Sequence, residues 1–256
     1  MYANIVNYWK EHSKSTEDEY NRLLKDFWLT YTFNSNNIEN GRLNYHVTRE
    51  VFEGSEITVS GVHPRDVVEA QNSKFVRNKV VKNLLNKTTI TPELIMSMHK
   101  MYMNGLYDDR RYSRGERPGT FKVNDYCVGL TGEGSLPDEV SKDISDLCSE
   151  VENINEDKIL ESAAFFHLMF ESIHAFADGN GRVGRLMTNY MLMLHNHPPI
   201  NIFSEDKETY YLALEVFDRT GKITGFVEFL REQCVKTWKS KVVKLTLADA
   251  ISRMYN

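Results

Sequence analysis

Hydrophobic residues recur every three to four positions along most of the chain, a spacing typical of α-helices. One segment, ILESAAFFHLMFESIH at residues 159–174, is apolar nearly all round, which predicts a central buried helix. Thr91-Pro92-Glu93 combines an N-cap, a proline at the first helical position and an acid near the positive end of the helix dipole. The pattern predicts helices over residues 17–34, 66–85, 94–106, 135–152, 159–174, 182–196, 208–219 and 225–245.

Residues 118–130 break this helical pattern. The segment PGTFKVNDYCVGL has two short β-favouring runs on either side of Asn124-Asp125, which predicts a small β-hairpin. No internal repeat, low-complexity linker or domain boundary is evident. The expected fold is therefore all-α, with one small hairpin, in one compact unit.

Composition is that of a soluble globular protein. The chain has 256 residues, 41% of them hydrophobic and 26% charged, and a mean hydropathy of −0.47. No apolar run approaches a membrane span, and the N-terminus lacks the basic flank and apolar stretch of a secretory signal. A net charge of −5 argues against a global field for nucleic acid. We expect a cytoplasmic protein that binds neither membrane nor nucleic acid.

The three cysteines, Cys127, Cys148 and Cys234, are widely spaced and form no CxxC pair. This spacing predicts neither a disulfide framework nor a zinc site. We interpret them as neutral thiols of a reducing compartment. His195 and His197 have no acid or cysteine at ligand spacing and are interpreted as part of a helix-ending loop, and His99 and His167 as core histidines.

The segment HAFADGNGRVGR, residues 174–185, concentrates the chemistry. Its glycines allow left-handed dihedrals, so that successive N–H groups can form an anion-binding nest at the start of the next helix. Arg182 and Arg185 are three apart and share a face of that helix. Asp178 could hold a Mg²⁺ that bridges phosphates, and His174 could take a proton from a hydroxyl. A P-loop and a GxGxxG fingerprint are both absent.

Each of these features alone has a common structural explanation: a connecting turn, a helix cap or a solvated pair of arginines. Their occurrence together within twelve residues favours a di- or triphosphate site. The segment resembles the Fic family motif, HxFx[DE]GNGRxxR, at every specified position. Residues 85–235 resemble the Fic core, and the predicted hairpin resembles its target-binding flap. Many members have proline at the position of Ala175, so we expect altered loop stiffness here.

The resemblance implies transfer of AMP from Mg-ATP to a Ser, Thr or Tyr hydroxyl of a target protein, and possible self-modification. It implies that His174 is the general base and that Asp178 binds Mg²⁺. The implied phosphate ligands are Gly179, Asn180, Gly181, Arg182 and Arg185; Thr120, Phe121, Lys122 and Val123 would form the target-binding flap; and Tyr210 and Tyr211 would border the adenine. Tyr210 and Tyr211 are equally interpretable as core aromatics.

Upstream, Ser35-Asn36-Asn37-Ile38-Glu39-Asn40 resembles the Fic inhibitory motif, [ST]xxxE[GN]. Ser35 and Glu39 are four apart and would share one helix face. The same residues also suit a helix C-terminus capped by Asn40-Gly41. The resemblance implies that Glu39 pairs with Arg185 and so keeps that arginine from the γ-phosphate.

The resulting expectation is an autoinhibited bacterial adenylyltransferase. Its N-terminal helical region, 1–84, would pack on a catalytic core, 85–235, followed by a helical extension, 236–256. Two alternatives stay open: removal of AMP from a modified protein, with Glu39 positioning water, and a nucleotide-sensing or partner-binding module with little catalysis. Family members often self-associate, so a homo-oligomer is compatible with the resemblance, which does not fix the oligomeric state.

Overall fold

The helical pattern is realised in a computed structural model, which describes residues 1–58, 60–126, 134–152 and 154–254, with side chains up to residue 244. Two short 3₁₀ helices, Glu156–Lys158 and Ser204–Asp206, precede the α-helices that begin at Ile159 and Lys207. The α-helices of the described residues are α1 Tyr2–Glu11, α2 Glu17–Leu23, α3 Lys25–Glu39, α4 Tyr45–Glu53, α5 Pro64–Leu85, α6 Pro92–Tyr102, α7 Asp109–Ser113, α8 Val140–Glu150, α9 Ile159–Ile173, α10 Asn180–Leu194, α11 Lys207–Thr220 and α12 Thr224–Met254.

The predicted hairpin at 118–130 is not found: no strand occurs in the described residues, and the portion from Cys127 onward lies outside them. The buried Glu116 carboxylate explains why the first half forms turns and bends instead. It accepts hydrogen bonds from the backbone N–H groups of Val123 and Asn124, at 3.3 and 3.1 Å, and from the Asn124 side chain at 2.7 Å. Donors that a hairpin would use are therefore bound to a side chain.

Helix α9 is the central helix of the described fold, as its apolar sequence predicts. It packs against α8, α10, α11 and α12, and its most extensive contact is with α10. Helix α10 is itself buried along most of its length. The loop between these two helices is thus held from both sides by the core, which is what fixes the position of the HAFADGNGRVGR segment.

Helix α3 brings the N-terminal region onto α10. The helix predicted over 17–34 is in fact two helices, because Leu24 leaves helical geometry between α2 and α3. Helix α3 then continues five residues further, to Glu39. Asn40 caps it through its N–H to the Asn36 carbonyl, and Gly41 adopts a φ of 62°. This ending places Glu39 next to the first turn of α10.

Two further expectations concern the bulk of the chain. Within the described residues, none of the helices combines the length and apolar character needed to cross a bilayer. Cys148 and Cys234 are buried free thiols, and burial raises the pKa of Cys148 to about 11. Cys127 lies outside the described residues.

The buried histidines make stability depend on pH. Burial lowers the pKa of His99 and His197 to about 4 and that of His167 to about 3, against an ordinary value of 6.5. Between pH 6.5 and 4.5 the unfolded chain therefore binds protons on these groups that the folded chain does not. Glu171 opposes this effect, because burial raises its pKa to about 8, but it is one group against these three histidines and His174, whose pKa is also lowered to about 4.

We therefore expect the free energy of unfolding to fall as the pH is lowered from 6.5 to 4.5, by up to about 1.4 kcal/mol per pH unit for each excess proton bound by the unfolded chain. Reversible thermal unfolding at pH 7 and pH 5 measures this, with the melting temperature lower at pH 5. Equal or higher stability at pH 5 would contradict the assignment of neutral buried histidines.

Candidate nucleotide-binding site

The loop between α9 and α10 is shaped by two left-handed residues. His174 ends α9 with a φ of 52°, which is uncommon for a residue with a side chain, and Gly179 precedes α10 with a φ of 88°. Between them, Phe176 is fully buried and exchanges two hydrogen bonds with the Asn180 side chain: its N–H donates at 2.8 Å and its carbonyl accepts at 2.7 Å. The Asn180 side-chain amide thus holds the loop in this conformation.

His99 links the loop between α9 and α10 to the segment around Gly119. The Gly119 N–H donates to its Nδ1 at 2.8 Å, so its Nε2–H donates to the Asp178 carbonyl at 3.0 Å. The ring also stacks on Phe176 at 3.7 Å. His99 is a buried core histidine, as predicted, but it also positions Asp178. Its sequence context, an apolar helix, carried no signal of that second role.

His174 is partly exposed and lines a cavity between α9, α10 and α11. Burial, reinforced by the positive charge of Lys122, lowers the pKa of its imidazole to about 4. The ring is therefore neutral near pH 7 and able to accept a proton, which is the state a general base requires.

Arg182 binds two carboxylates. Its guanidinium donates to Asp178 Oδ1 at 2.9 Å and to Glu69 Oε1 at 3.0 Å, and it does not line the cavity. Glu69, on α5, is only 1% exposed. In this structure Arg182 therefore supports the Asp178 carboxylate, and its role as a phosphate ligand stays a prediction. Sequence reasoning missed Glu69, because nothing around it distinguishes it from a surface acid of a long helix.

Arg185 is held by both residues of the upstream motif. Its Nε donates to Ser35 Oγ at 3.0 Å, and its Nη2 donates to the Ser35 carbonyl at 2.9 Å and to Glu39 Oε1 at 2.7 Å. Burial acts to lower the pKa of this guanidinium, but the charge of Glu39, together with those of Tyr210, Glu171 and Tyr31, outweighs burial and the pKa is raised. The carboxylate of Glu39 remains 30% exposed, at the cavity wall. The structure thus brings Ser35, Glu39 and Arg185 together.

The cavity has a volume of about 560 Å³. Its walls are supplied by α9, α10, α11 and the loop at residues 174–179 between α9 and α10, which we call the glycine loop. Tyr210 and Tyr211 both border it: Tyr210 is buried, with its hydroxyl 2.8 Å from His167 Nε2, and Tyr211 is 41% exposed. The lining comprises Glu39, Arg111, Leu168, Glu171, Ser172, His174, Ala177, Asp178, Gly179, Asn180, Gly181, Arg185, Tyr210, Tyr211, Leu214, Glu215, Phe217 and Asp218.

Asp178 is the carboxylate available for a cation beside the loop. In the described residues, His, Cys, Asp and Glu side chains do not gather in groups of three or more that could enclose a metal ion. A Mg²⁺ ion is often held by one carboxylate, several waters and the phosphates of a nucleotide. The donor set here fits a cation shared between Asp178 and a nucleotide, and does not fit a cation held by protein side chains alone.

The predicted flap residues, Thr120, Phe121, Lys122 and Val123, lie beside the loop but do not line the cavity. The Lys122 N–H donates to the Ala175 carbonyl at 2.9 Å, which ties the segment to the residue after His174. The Val123 side chain is 56% exposed. The segment is therefore tied to the loop through Lys122 and to the Glu116 carboxylate through the Val123 N–H, and it exposes the Val123 side chain.

Gly179 offers a test of the loop geometry. Its left-handed φ disfavours any side chain, and a Cβ there would lie 2.6 Å from Met103 Sδ. We expect Gly179→Ala to lower the free energy of unfolding by about 1–3 kcal/mol, measured by urea denaturation. Gly225→Ala is the matched control, because a Cβ there meets nothing within 4 Å. Equal effects of the two substitutions would contradict the loop conformation.

The part of the chain that contains this site is similar in sequence to known proteins. Residues 89–192 match the model of the Fic/DOC family. Curated relatives include the protein adenylyltransferases Fic of Drosophila erecta and Drosophila mojavensis, each 28% identical over 222 and 219 residues, respectively. The alignments cover 84% of this chain but only 42% and 41% of those proteins, so the chain spans less than half the length of these relatives.

Solved structures share the fold. A Fic-domain-containing signalling protein from Bacteroides thetaiotaomicron superposes with a TM-score of 0.78 at 23% identity, covering 94% of this chain and 95% of that one. A Fic family protein from Desulfovibrio desulfuricans gives a TM-score of 0.73 at 25% identity, covering 95% of this chain and 72% of that one. Residues 89–192 of the chain are therefore similar to the Fic/DOC family, and the chain shares the all-α fold of these Fic proteins.

Proposed function

We propose that this chain is a protein adenylyltransferase, which transfers AMP from ATP to a hydroxyl side chain of a target protein. The observation that carries the proposal is the convergence of a neutral His174, the Asp178 carboxylate and Arg185 on one cavity. The names of the curated relatives support the same activity. AMP transfer needs both a proton acceptor and phosphate ligands. Nucleotide binding alone needs no proton acceptor.

In the proposed reaction, the target hydroxyl oxygen attacks the α-phosphorus of ATP. His174 accepts the hydroxyl proton as the new oxygen–phosphorus bond forms. The bond from the α-phosphorus to the bridging oxygen breaks, and pyrophosphate leaves with that electron pair. The products are a protein-bound AMP phosphodiester and pyrophosphate. A neutral imidazole suits this step, because it needs no prior deprotonation near pH 7.

The phosphates would lie at the start of α10. The first N–H groups of a helix have no partner within it, and they point along the positive end of its dipole. Gly179, Asn180 and Gly181 would contribute backbone N–H groups, and Arg185 a bidentate guanidinium. A Mg²⁺ ion at Asp178 would supply neutralisation of phosphate charge. The nucleoside would extend toward Tyr210 and Tyr211 on α11.

The N-terminal region, 1–84, would act as an inhibitor of the core at 85–235, to which 236–256 adds a helical extension. Support comes from the 2.7 Å ion pair of Glu39 with Arg185, since a carboxylate and a phosphate compete for the same guanidinium. The segment Thr120–Val123 would position the target by backbone contacts, although without the predicted strand pairing in its described part.

The test uses ATP labelled on the α-phosphate and, separately, on the γ-phosphate. The Glu39→Gly variant is incubated with Mg²⁺ and a cell lysate, and protein-bound label is measured. We expect protein-bound label from the α position only. Label from the γ position only would identify phosphate transfer and contradict the proposal. If neither position labels protein, a target already carrying AMP would test the alternative, AMP removal.

A further inference from the structure

Three guanidinium groups meet at one carboxylate in this site. Arg182 contacts Asp178 Oδ1 at 2.9 Å, while Arg111 and Arg65 contact Asp178 Oδ2 at 3.3 and 3.4 Å. The family motif accounts for only one of the three, Arg182. Arg65 comes from α5 and Arg111 from α7, so neither is close to the motif in sequence.

Two of these arginines also contact a second acid, the buried Glu69. The Nη1 of Arg182 and the Nε of Arg65 each lie 3.0 Å from Glu69 Oε1. Arg65 also donates to the Leu106 carbonyl at 2.9 Å. Arg65, Arg182, Glu69 and Asp178 therefore form a group of two positive and two negative charges, and their multiple bonds fix both arginines in place.

Arg111 is additional to that balanced group. Its second acidic partner is Asp108, 3.0 Å away, whose side chain is 55% exposed, and exposed pairs of this kind contribute little. Unlike Arg65 and Arg182, Arg111 lines the cavity, as Arg185 does. It sits on α7, a short helix that buries none of its residues. The cavity thus has a second arginine, which contacts the exposed Asp108 and the carboxylate that a cation would share.

We infer that Arg111 is a second phosphate-binding arginine, which contacts the β- and γ-phosphates of the bound nucleotide. This inference rests on the proposed function. A nucleotide with its cation brings positive charge to Asp178 and negative oxygens next to it, so the Arg111 fork exchanges a carboxylate for a phosphate of similar geometry. Arg111 would also stabilise the pyrophosphate that leaves.

This arrangement has a consequence for the inhibited state. Glu39 engages Arg185 but makes no contact with Arg111, whose acidic partners are Asp108 and Asp178. Arg111 therefore stays available when Arg185 is taken. The wild-type chain would keep part of its affinity for a triphosphate through Arg111, although without the arginine needed to orient it productively.

The test measures nucleotide affinity by calorimetry, with ATP plus Mg²⁺ and, separately, with adenosine. The parent is Glu39→Gly, to which Arg111→Gln is added. Arg114→Gln is the matched control, because Arg114 belongs to the same segment, is exposed, and lies over the Tyr126 ring outside the cavity. We expect Arg111→Gln to weaken ATP binding about tenfold and leave adenosine binding unchanged, because one charge-assisted contact to phosphate is lost. Arg114→Gln should leave both unchanged.

The other outcomes distinguish a failure of the Arg111 inference from a failure of the proposed function. Unchanged ATP affinity in Arg111→Gln, in a parent that binds ATP, overturns the inference and leaves the proposed function standing. Equal weakening of ATP and adenosine also overturns it, since the residue would then support the fold. A parent that binds no ATP contradicts the proposed function and the inference with it. Melting temperatures without nucleotide establish that each variant is folded.

Discussion

Replacing His174 with alanine in the Glu39→Gly chain should reduce the rate of AMP transfer by about 10²–10⁴-fold while leaving ATP affinity nearly unchanged. The imidazole is the one neutral proton acceptor placed by the glycine loop at the cavity wall, and alanine removes it without altering the phosphate ligands. The rate of incorporation of α-phosphate label measures the first quantity, and calorimetry the second. Loss of both would mean that His174 supports the loop instead of the reaction.

The matched control is His195→Ala. His195 follows α10 at its C-terminal end and does not line the cavity, so its removal should leave the rate unchanged. The pH profile adds a second criterion. Because the pKa of His174 is lowered to about 4, its base form dominates from pH 5 upward, and the rate should not fall on that account until the pH approaches 4. A decline centred near pH 6.5 would contradict the low pKa.

Glu39→Gly should raise the rate of AMP transfer about tenfold to a hundredfold. The Glu39 carboxylate lies 2.7 Å from Arg185 Nη2, and a charge-assisted hydrogen bond of about 1.5–3 kcal/mol must be displaced before that arginine can hold a phosphate. Removing the competitor frees the arginine. Glu39→Gln, which keeps the shape but not the charge, should give a smaller increase of the same sign.

A matched control for the backbone effect of glycine is Glu53→Gly. Both residues are the last of an α-helix, but Glu53 is half-exposed and pairs only with Arg49 among the described residues. Its replacement should not change activity. Glu39→Gly should also lower the free energy of unfolding by about 1–2 kcal/mol, since Arg185 is buried and loses its counter-charge. ATP should then raise the melting temperature more in this variant than in wild type.

Local sequence was sufficient for part of the site. His174, Asp178 and Arg185 are brought together by one loop and the first turns of one helix, so their proximity follows from a twelve-residue segment. Ser35 and Glu39 share a face because they are four apart on α3. Their contact with Arg185 is tertiary, 150 and 146 residues away, and only the resemblance to a known motif connected them.

Other parts of the site depend on packing that no local pattern reveals. Glu69 and Arg111 come from helices that converge on the loop only when the core has formed, and the sequence around each gives no signal of that position. The hairpin failed for a related reason: the acceptor that organises its donors is Glu116, an adjacent side chain that strand propensity does not take into account. Helices α1, α4 and α7 were also missed; they have ten, nine and five residues, so each offers fewer than about three turns over which a period could show.

A cycle of ATP affinities in wild type, Glu39→Gly, Arg185→Gln and the double variant measures whether Glu39 inhibits the chain through Arg185. If Glu39 acts by occupying Arg185, Glu39→Gly should tighten ATP binding, Arg185→Gln should weaken it, and adding Glu39→Gly to Arg185→Gln should bring little further gain. An equal gain from Glu39→Gly with and without Arg185 would contradict the account, because Glu39 would then restrict the nucleotide by another route.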